Sequence, residues 1–454
     1  MPEEDEIKLG RQWHPEVLKQ YKAYNDNALQ GYVQRVGEQL AAKSPRDDLV
    51  FRFIVIDSND VNAFSLPGGY IYITRGLLAY LNSEAELAAV LGHEIGHVTA
   101  RHGVRQINVE RGANSPAQAG VGAVFTPQLR DQARQNLVAL LGKAVVSGYG
   151  ADRELEADRL GADYLAASGY NPQAIIEVIG VLKNQQEFEI KRSKEEGTPP
   201  RVYHAMFAHP ENDAALKGIV SAASKKRRDP GQRLNREDFF MTLDGLAFGD
   251  SEQQGVRRGN RFYHKELGIA VTFPSDWSLE NISDRVVAFP SSESAVLQMT
   301  AVDLTPQIPP RDYMIKILKL DPTDGSKLSI PGLEGYTARA KSSTHFGIRE
   351  SRFGVVYFQE RALILMGSAK DKLTPQLDKL FLQTINSIHA LSDPEQKLAE
   401  GLKIRVIGND KAQRLMDLAA KSRLPVHAEE QLRLLNDLYP IGEPLPGQRL
   451  KVVE

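Results

Sequence analysis

The chain has 454 residues, 42% of them hydrophobic, a formal net charge of −2 and no cysteine. That length holds roughly two to four domains with ordinary cores. The balanced charge argues against a nucleic-acid binder, and the lack of cysteine excludes disulfides and thiolate metal sites. No apolar run reaches the roughly 18 residues that a bilayer span needs. The acidic start, Met1-Pro2-Glu3-Glu4-Asp5-Glu6, is no signal peptide, but it is compatible with the end left after one has been removed.

From Trp13 to Leu40 the pattern is helical, with Tyr21, Tyr24, Leu29, Tyr32, Val33, Val36 and Leu40 expected to be buried. Residues 50–56 and 69–74 read as strands, joined through Asn62-Ala63-Phe64-Ser65-Leu66-Pro67. Gly68-Gly69 reads as a turn, with a direct substrate role as the alternative. Ser83, with Glu86 three residues on, has the form of a capping box, and Leu87, Val90, Leu91, Ile95 and Val98 recur at helical spacing. A helix is therefore expected from Glu84 to Arg101.

This helix carries His93-Glu94-Ile95-Gly96-His97. Histidines four apart share a helix face, so both imidazoles reach one metal while Glu94 leans over its open side. Such a motif also occurs by chance on ordinary helices, and a third ligand decides between the readings. Catalytic zinc commonly takes two histidines and a glutamate from a second helix. In the helical stretch 151–163, Glu154 and Asp158 stand four apart, offering one carboxylate to the metal and another to the outer nitrogen of a ligating histidine. Asp152 and Glu156 lack such a partner and read as a solvated face. His102 reads as a surface residue at the helix end, and Tyr149 as a neighbour of the metal only in outline.

Together, Asn62 to Thr74, Ser83 to His97, Glu154-Leu155-Glu156-Ala157-Asp158 and His209-Pro210 resemble metallopeptidase family forty-eight, gluzincins of the BepA-like, HtpX-like and CAAX prenyl protease type, over residues 1–225. The resemblance implies one Zn2+ per chain held by His93, His97 and Glu154, with Glu94 activating water and Asp158 supporting a ligand. It implies that Asn62, Ala63 and Phe64 form an edge strand that aligns substrate backbone by strand addition. It further implies that His209 stabilises the oxyanion or occupies the open metal position. The chain departs from the relatives in having no arginine in 211–217, and a histidine starting a helix before Pro210 is the competing reading. The resemblance places the protein in the periplasm or cell envelope.

Residues 112–126 are rich in Gly and Ala and suit either a lid or a plain loop, and 128–146 reads as helix. The basic stretch 225–233 reads as a solvated linker within a connector spanning 226–259. Over 260–392, strand-like runs at 269–273, 286–289, 295–302, 334–340, 349–357 and 362–367, with helices at 309–318 and 376–388, predict an antiparallel sheet with covering helices. Leu267 to Trp277 and Phe381 to Ile388 resemble the PsbP-like fold. Residues 396–454 show a βααβ order that resembles a LysM module, with peptidoglycan binding as one implication and a structural cap as the other.

The expected fold class is thus α+β multidomain: a mainly helical protease domain with a small sheet, an antiparallel-sheet domain and a βααβ module. The expected function is zinc-dependent endoproteolysis of misfolded or unassembled cell-envelope proteins. Alternatives are a latent protease acting as chaperone or assembly factor, and a peptidoglycan-associated binding protein. Partners follow as protein or peptide substrates, with peptidoglycan or envelope-assembly proteins beside them.

Overall fold

The computed structural model describes the whole chain except residues 47–48, 114–148, 197–212, 227–233, 283–284, 305–307, 345 and 412. The expected helix at 128–146, most of the glycine-rich stretch, most of the basic linker, and His209 lie outside the described residues. The chain divides into two compact units, Met1–Phe248 with Lys403–Glu454, and Gly249–Leu402. Among the described residues no helix is long and apolar enough to cross a membrane.

The first unit opens with helices α1 (Glu3–Gln20) and α2 (Asn27–Ala41). The single helical run expected over 13–40 is broken, because Asp26 caps α2 by accepting from the Leu29 amide at 3.0 Å. In the gap, the Tyr24 amide donates to the Val55 carbonyl, so the chain docks on β1 (Arg52–Ile56) instead of winding on. With β2 (Ala63–Leu66) and β3 (Tyr70–Thr74), β1 forms a sheet in the order β1-β3-β2, β1 parallel and β2 antiparallel to β3. Pro67-Gly68-Gly69 is the hairpin turn, and φ of +81° and +88° at the two glycines explains their presence.

Helices α3 (Arg75–Tyr80), α4 (Glu84–Thr99), α5 (His102–Ala113), α6 (Ala151–Ala167), α7 (Ala174–Glu196), α8 (Asp213–Lys225) and α9 (Arg236–Leu243), then the short strand β4 (Ala247–Phe248), complete this run. Helix α4 is buried from Glu84 to Val98. Its capping differs slightly from the expected box: the Ser83 hydroxyl accepts from the Glu86 amide at 3.1 Å, while the Glu86 carboxylate accepts from the Asn82 amide at 2.8 Å. Glu84 in the first turn accepts from Tyr32, Tyr170 and Asn235, which satisfies a buried carboxylate and pins α4 to three other segments.

The second unit holds a seven-stranded antiparallel sheet and a four-stranded one. Its strands are β5 (Val256–Arg258), β6 (Arg261–His264), β7 (Ile269–Thr272), β8 (Trp277–Ile282), β9 (Arg285–Pro290), β10 (Ala295–Asp303), β11 (Thr323–Lys327), β12 (Glu334–Thr344), β13 (Gly347–Phe358), β14 (Arg361–Ala369) and β15 (His389–Ala390). Helices α10 (Pro310–Lys316), α11 (Pro375–Asn386) and α12 (Asp393–Leu398) accompany them. The large sheet has order β11-β12-β13-β14-β10-β9-β8 and buries both faces. Val356, Phe358 and Leu363 share one core with Phe381 and Ile385 of α11, while Val355 and Phe353 share another with Tyr313 and Met314 of α10.

The tail, β16 (Leu402–Gly408), α13 (Leu415–Ala419), α14 (Ala428–Leu435) and β17 (Arg449–Val453), has the expected βααβ order. It is not a separate module, however. β4 adds to its sheet in the order β17-β16-β4, and the Lys451 ammonium, fully buried, donates to the Ala79 and Leu81 carbonyls at 2.7 and 2.6 Å, just ahead of α4. Burial pushes that ammonium well below the usual lysine range, with Glu86 opposing. By compactness the tail thus groups with the first unit. Deleting residues 403–454 is accordingly expected to lower the melting midpoint of the first unit and to broaden its transition in calorimetry; an unchanged transition would mean that the tail is dispensable.

Candidate metal centre

Helices α4 and α6 meet backbone to backbone. A Cβ added at Gly96 would lie 2.7 Å from the Ala157 carbonyl oxygen, one at Gly92 2.8 Å from the Leu165 side chain, and one at Gly161 2.9 Å from the His93 amide nitrogen. Any side chain at these positions would push the helices apart, and the three glycines with Ala157 remove that obstacle. The gap so closed is the one between the two histidines and Glu154.

His93 Nε2 and His97 Nε2 face each other at 2.8 Å, and Glu154 Oε2 lies 3.3 Å from each. Among the described residues these three bring one ligand atom each within 4.8 Å of the others, a cluster able to hold a metal ion. All three are buried, and among the described residues Glu154 Oε2 has no hydrogen-bond partner of its own. A buried carboxylate oxygen left bare beside two converging imidazole nitrogens fits a cation between them, and two nitrogens plus one oxygen is a donor set that suits zinc. The other oxygen of Glu154 accepts from the Tyr149 amide at 2.8 Å, which fixes the carboxylate's rotation.

Without an ion the cluster settles its own charge. Burial disfavours a cation at His93, but Asp158 and Glu154 outweigh it and raise His93 well above the ordinary histidine value. Burial and the His93 charge push His97 down to about 3. Burial works against ionisation of Glu154, yet the two flanking imidazoles hold its carboxyl well below the usual range.

Asp158 is where its spacing placed it: His93 Nδ1 donates to Asp158 Oδ1 at 2.8 Å, so Nε2 is left free to face the cluster. Glu94 is buried beside the cluster and accepts from the Ser65 hydroxyl of β2 at 2.9 Å. Burial lifts its carboxyl to about 7, against the pull of His93 and Ser65, which is a suitable value for a group that must take and return a proton near neutrality. The sheet that supplies Ser65 also places Ala63 and Phe64 on its edge strand, with both side chains buried and Phe64 stacked on Tyr72 at 4.8 Å. Asn62 precedes that strand, its side-chain carbonyl buried and without a partner among the described residues. A narrow cleft beside the cluster is lined by Ser65, Pro67, His97, Arg101 and Tyr149 among others.

Two sequence readings are corrected by the structure. His102 is fully buried, not a surface residue, and Glu156 binds it at 3.0 Å and is not merely solvated. Both placements follow from the sharp end of α4, which its internal periodicity does not announce. Tyr149 packs its ring on His97 at 4.8 Å, beside the cluster.

Two tests follow. Gly96→Ala is expected to cost about 1–3 kcal/mol in chemical unfolding by forcing α4 from α6, and to weaken metal retention in the same samples. Asp158→Asn, which keeps the shape but not the acceptor strength, is expected to lower metal affinity about 10- to 100-fold in chelator competition.

Residues 27–222 match the family model described as Peptidase family M48. The beta-barrel assembly-enhancing protease of Escherichia coli (strain K12) is 27% identical over 242 residues, which is 52% of this chain and 47% of that protein. The mitochondrial metalloendopeptidase OMA1 of Schizosaccharomyces pombe is 29% identical over 174 residues, 37% of this chain and 49% of its own length. The chain thus spans just under half the length of each of these relatives. The solution structure of cyanobacterial PsbP from Synechocystis matches 30% of this chain and 96% of its own at 14% identity, and its TM-score of 0.25 is too low to carry the PsbP resemblance further.

Proposed function

Since residues 27–222 form a peptidase family M48 domain, we propose that this chain is a zinc metalloendopeptidase in which His93, His97 and Glu154 hold the ion and Glu94 is the general base. The observation that carries this reading is the bare Glu154 oxygen 3.3 Å from two converging imidazole nitrogens, with a buried carboxyl at Glu94 beside them. Held by these three residues, a zinc ion would supply Lewis-acid polarisation of the scissile carbonyl. Glu94, buried beside the cluster, is placed to take the proton of the attacking water and hand it to the leaving amine. Ser65 orients Glu94 through its hydroxyl, and the edge strand β2 offers backbone groups along which an extended peptide can lie. Asn62, Ala63 and Phe64 are the proposed substrate strand; with Ala63 and Phe64 buried, recognition there runs through the main chain and leaves side-chain selectivity loose. His209 belongs to this proposal only through the sequence resemblance.

The substrates we propose are misfolded or unassembled proteins of the cell envelope. The name of the Escherichia coli relative, a beta-barrel assembly-enhancing protease, supports that class. In a test with casein as unfolded substrate, the parent chain is expected to hold zinc and cleave, while Glu94→Gln holds zinc and loses at least about 100-fold in cleavage. Cleavage that survives in Glu94→Gln would remove Glu94 from the role.

A further inference from the structure

The two histidines of the cluster are supported by different groups. His93 has a carboxylate, Asp158, on its outer nitrogen. The outer nitrogen of His97 faces His102, Nδ1 to Nδ1 at 2.8 Å. His102 Nε2 in turn meets Glu156 Oε2 at 3.0 Å, and Glu156 also accepts from Arg105 at 3.0 Å. Tyr149 leans on both rings, at 4.8 Å from His97 and 5.8 Å from His102.

The chain reaches this arrangement by ending α4 abruptly. On a continuous helix His102 would stand about 140° around the axis from His97 and could not meet it. Instead Arg101 takes φ of +57°, and α5 begins at once with His102 folded beneath His97. A non-glycine residue in that left-handed region is strained, and the strain is offset here by the Arg101 guanidinium, which donates to Glu6 at 2.8 Å and to the Met1 carbonyl at 2.7 Å. The strained turn is held in place, and it serves to bury one imidazole.

Only one set of tautomers satisfies these atoms once His97 Nε2 is given to the cluster. His97 then carries its proton on Nδ1 and donates it to His102 Nδ1. His102 keeps its own proton on Nε2 and donates to Glu156, which as a carboxylate can only accept. We infer that His102, anchored by Glu156, is a positioning residue that sets the orientation and tautomer of His97 for the metal. This rests on the metallopeptidase reading above. It also makes the two ligands unequal, since His97 leans on a neutral ring whose carboxylate stands one imidazole further out, at a partly exposed position.

The test uses the full chain with Zn2+ in chelator competition and Co2+ as a spectroscopic probe. His102→Leu, which keeps bulk without an acceptor, is expected to weaken Zn2+ about 10- to 100-fold and to change the visible Co2+ bands. His102→Asn, whose amide oxygen falls near the lost Nδ1, is expected to restore most of the affinity and the parent spectrum. Glu156→Ala, at a partly exposed position, is expected to show a smaller loss of the same kind at an unchanged melting midpoint. The inference is overturned if His102→Leu matches the parent in affinity and spectrum, or if His102→Asn is as weak as His102→Leu. Should His102→Leu fail to fold, an unchanged Co2+ spectrum in Glu156→Ala overturns it equally. A parent that binds neither ion would bring down the metallopeptidase reading and this inference with it, whereas a parent that binds both beside indifferent variants removes the inference alone.

Discussion

The contact between α4 and α6 is what the metal centre depends on. Two helices whose surfaces carry glycine at 92, 96 and 161 and alanine at 157 approach until backbone atoms touch, and larger side chains at these positions would hold them further apart. Close approach does two things at once. It brings Glu154 to the paired imidazoles and Asp158 to the far side of one of them. Because all of these groups are buried, it also makes each unsatisfied polar atom expensive, at about 1–3 kcal/mol.

The rest of the first unit reads as support for α4. A helix buried on all sides offers no solvent to its charged groups, and the structure answers each of them with a donor. Tyr32, Tyr170 and Asn235 converge on Glu84, the Asn82 amide on Glu86, and Ser65 on Glu94. The tail joins this support through Lys451, which meets the carbonyls just ahead of the helix. Glu6 of α1, buried between Arg46 and Arg101, secures the turn at the other end. The helix is thus held at both termini by segments from opposite ends of the sequence, which gives the centre its rigidity.

Much of this was legible in the sequence where one local rule decided the outcome. The cap at Ser83, the helical period through Val98, the i, i+4 histidines and the i, i+4 pair Glu154 and Asp158 needed only helix geometry, and the strands over 269–273 and 349–357 needed only residue preference. What escaped were placements set by tertiary contacts. Asp26 breaks a helical period that runs on unmarked past it. Arg101 adopts a conformation that a glycine would have advertised and an arginine conceals, and so His102 and Glu156 were read as solvent-facing. A lysine in a final strand reads as exposed, and only the buried carbonyls beyond α3 show why Lys451 is inside. The β2 strand was seen through the family resemblance, since four residues flanked by a turn are too few to declare a period.

If one metal ion sits between α4 and α6, anomalous diffraction at the zinc absorption edge will locate it. A single peak is expected in each chain, about 2.0–2.2 Å from His93 Nε2, His97 Nε2 and a Glu154 carboxylate oxygen. A zinc-soaked crystal with no peak there, or with its peak on other residues, would contradict it.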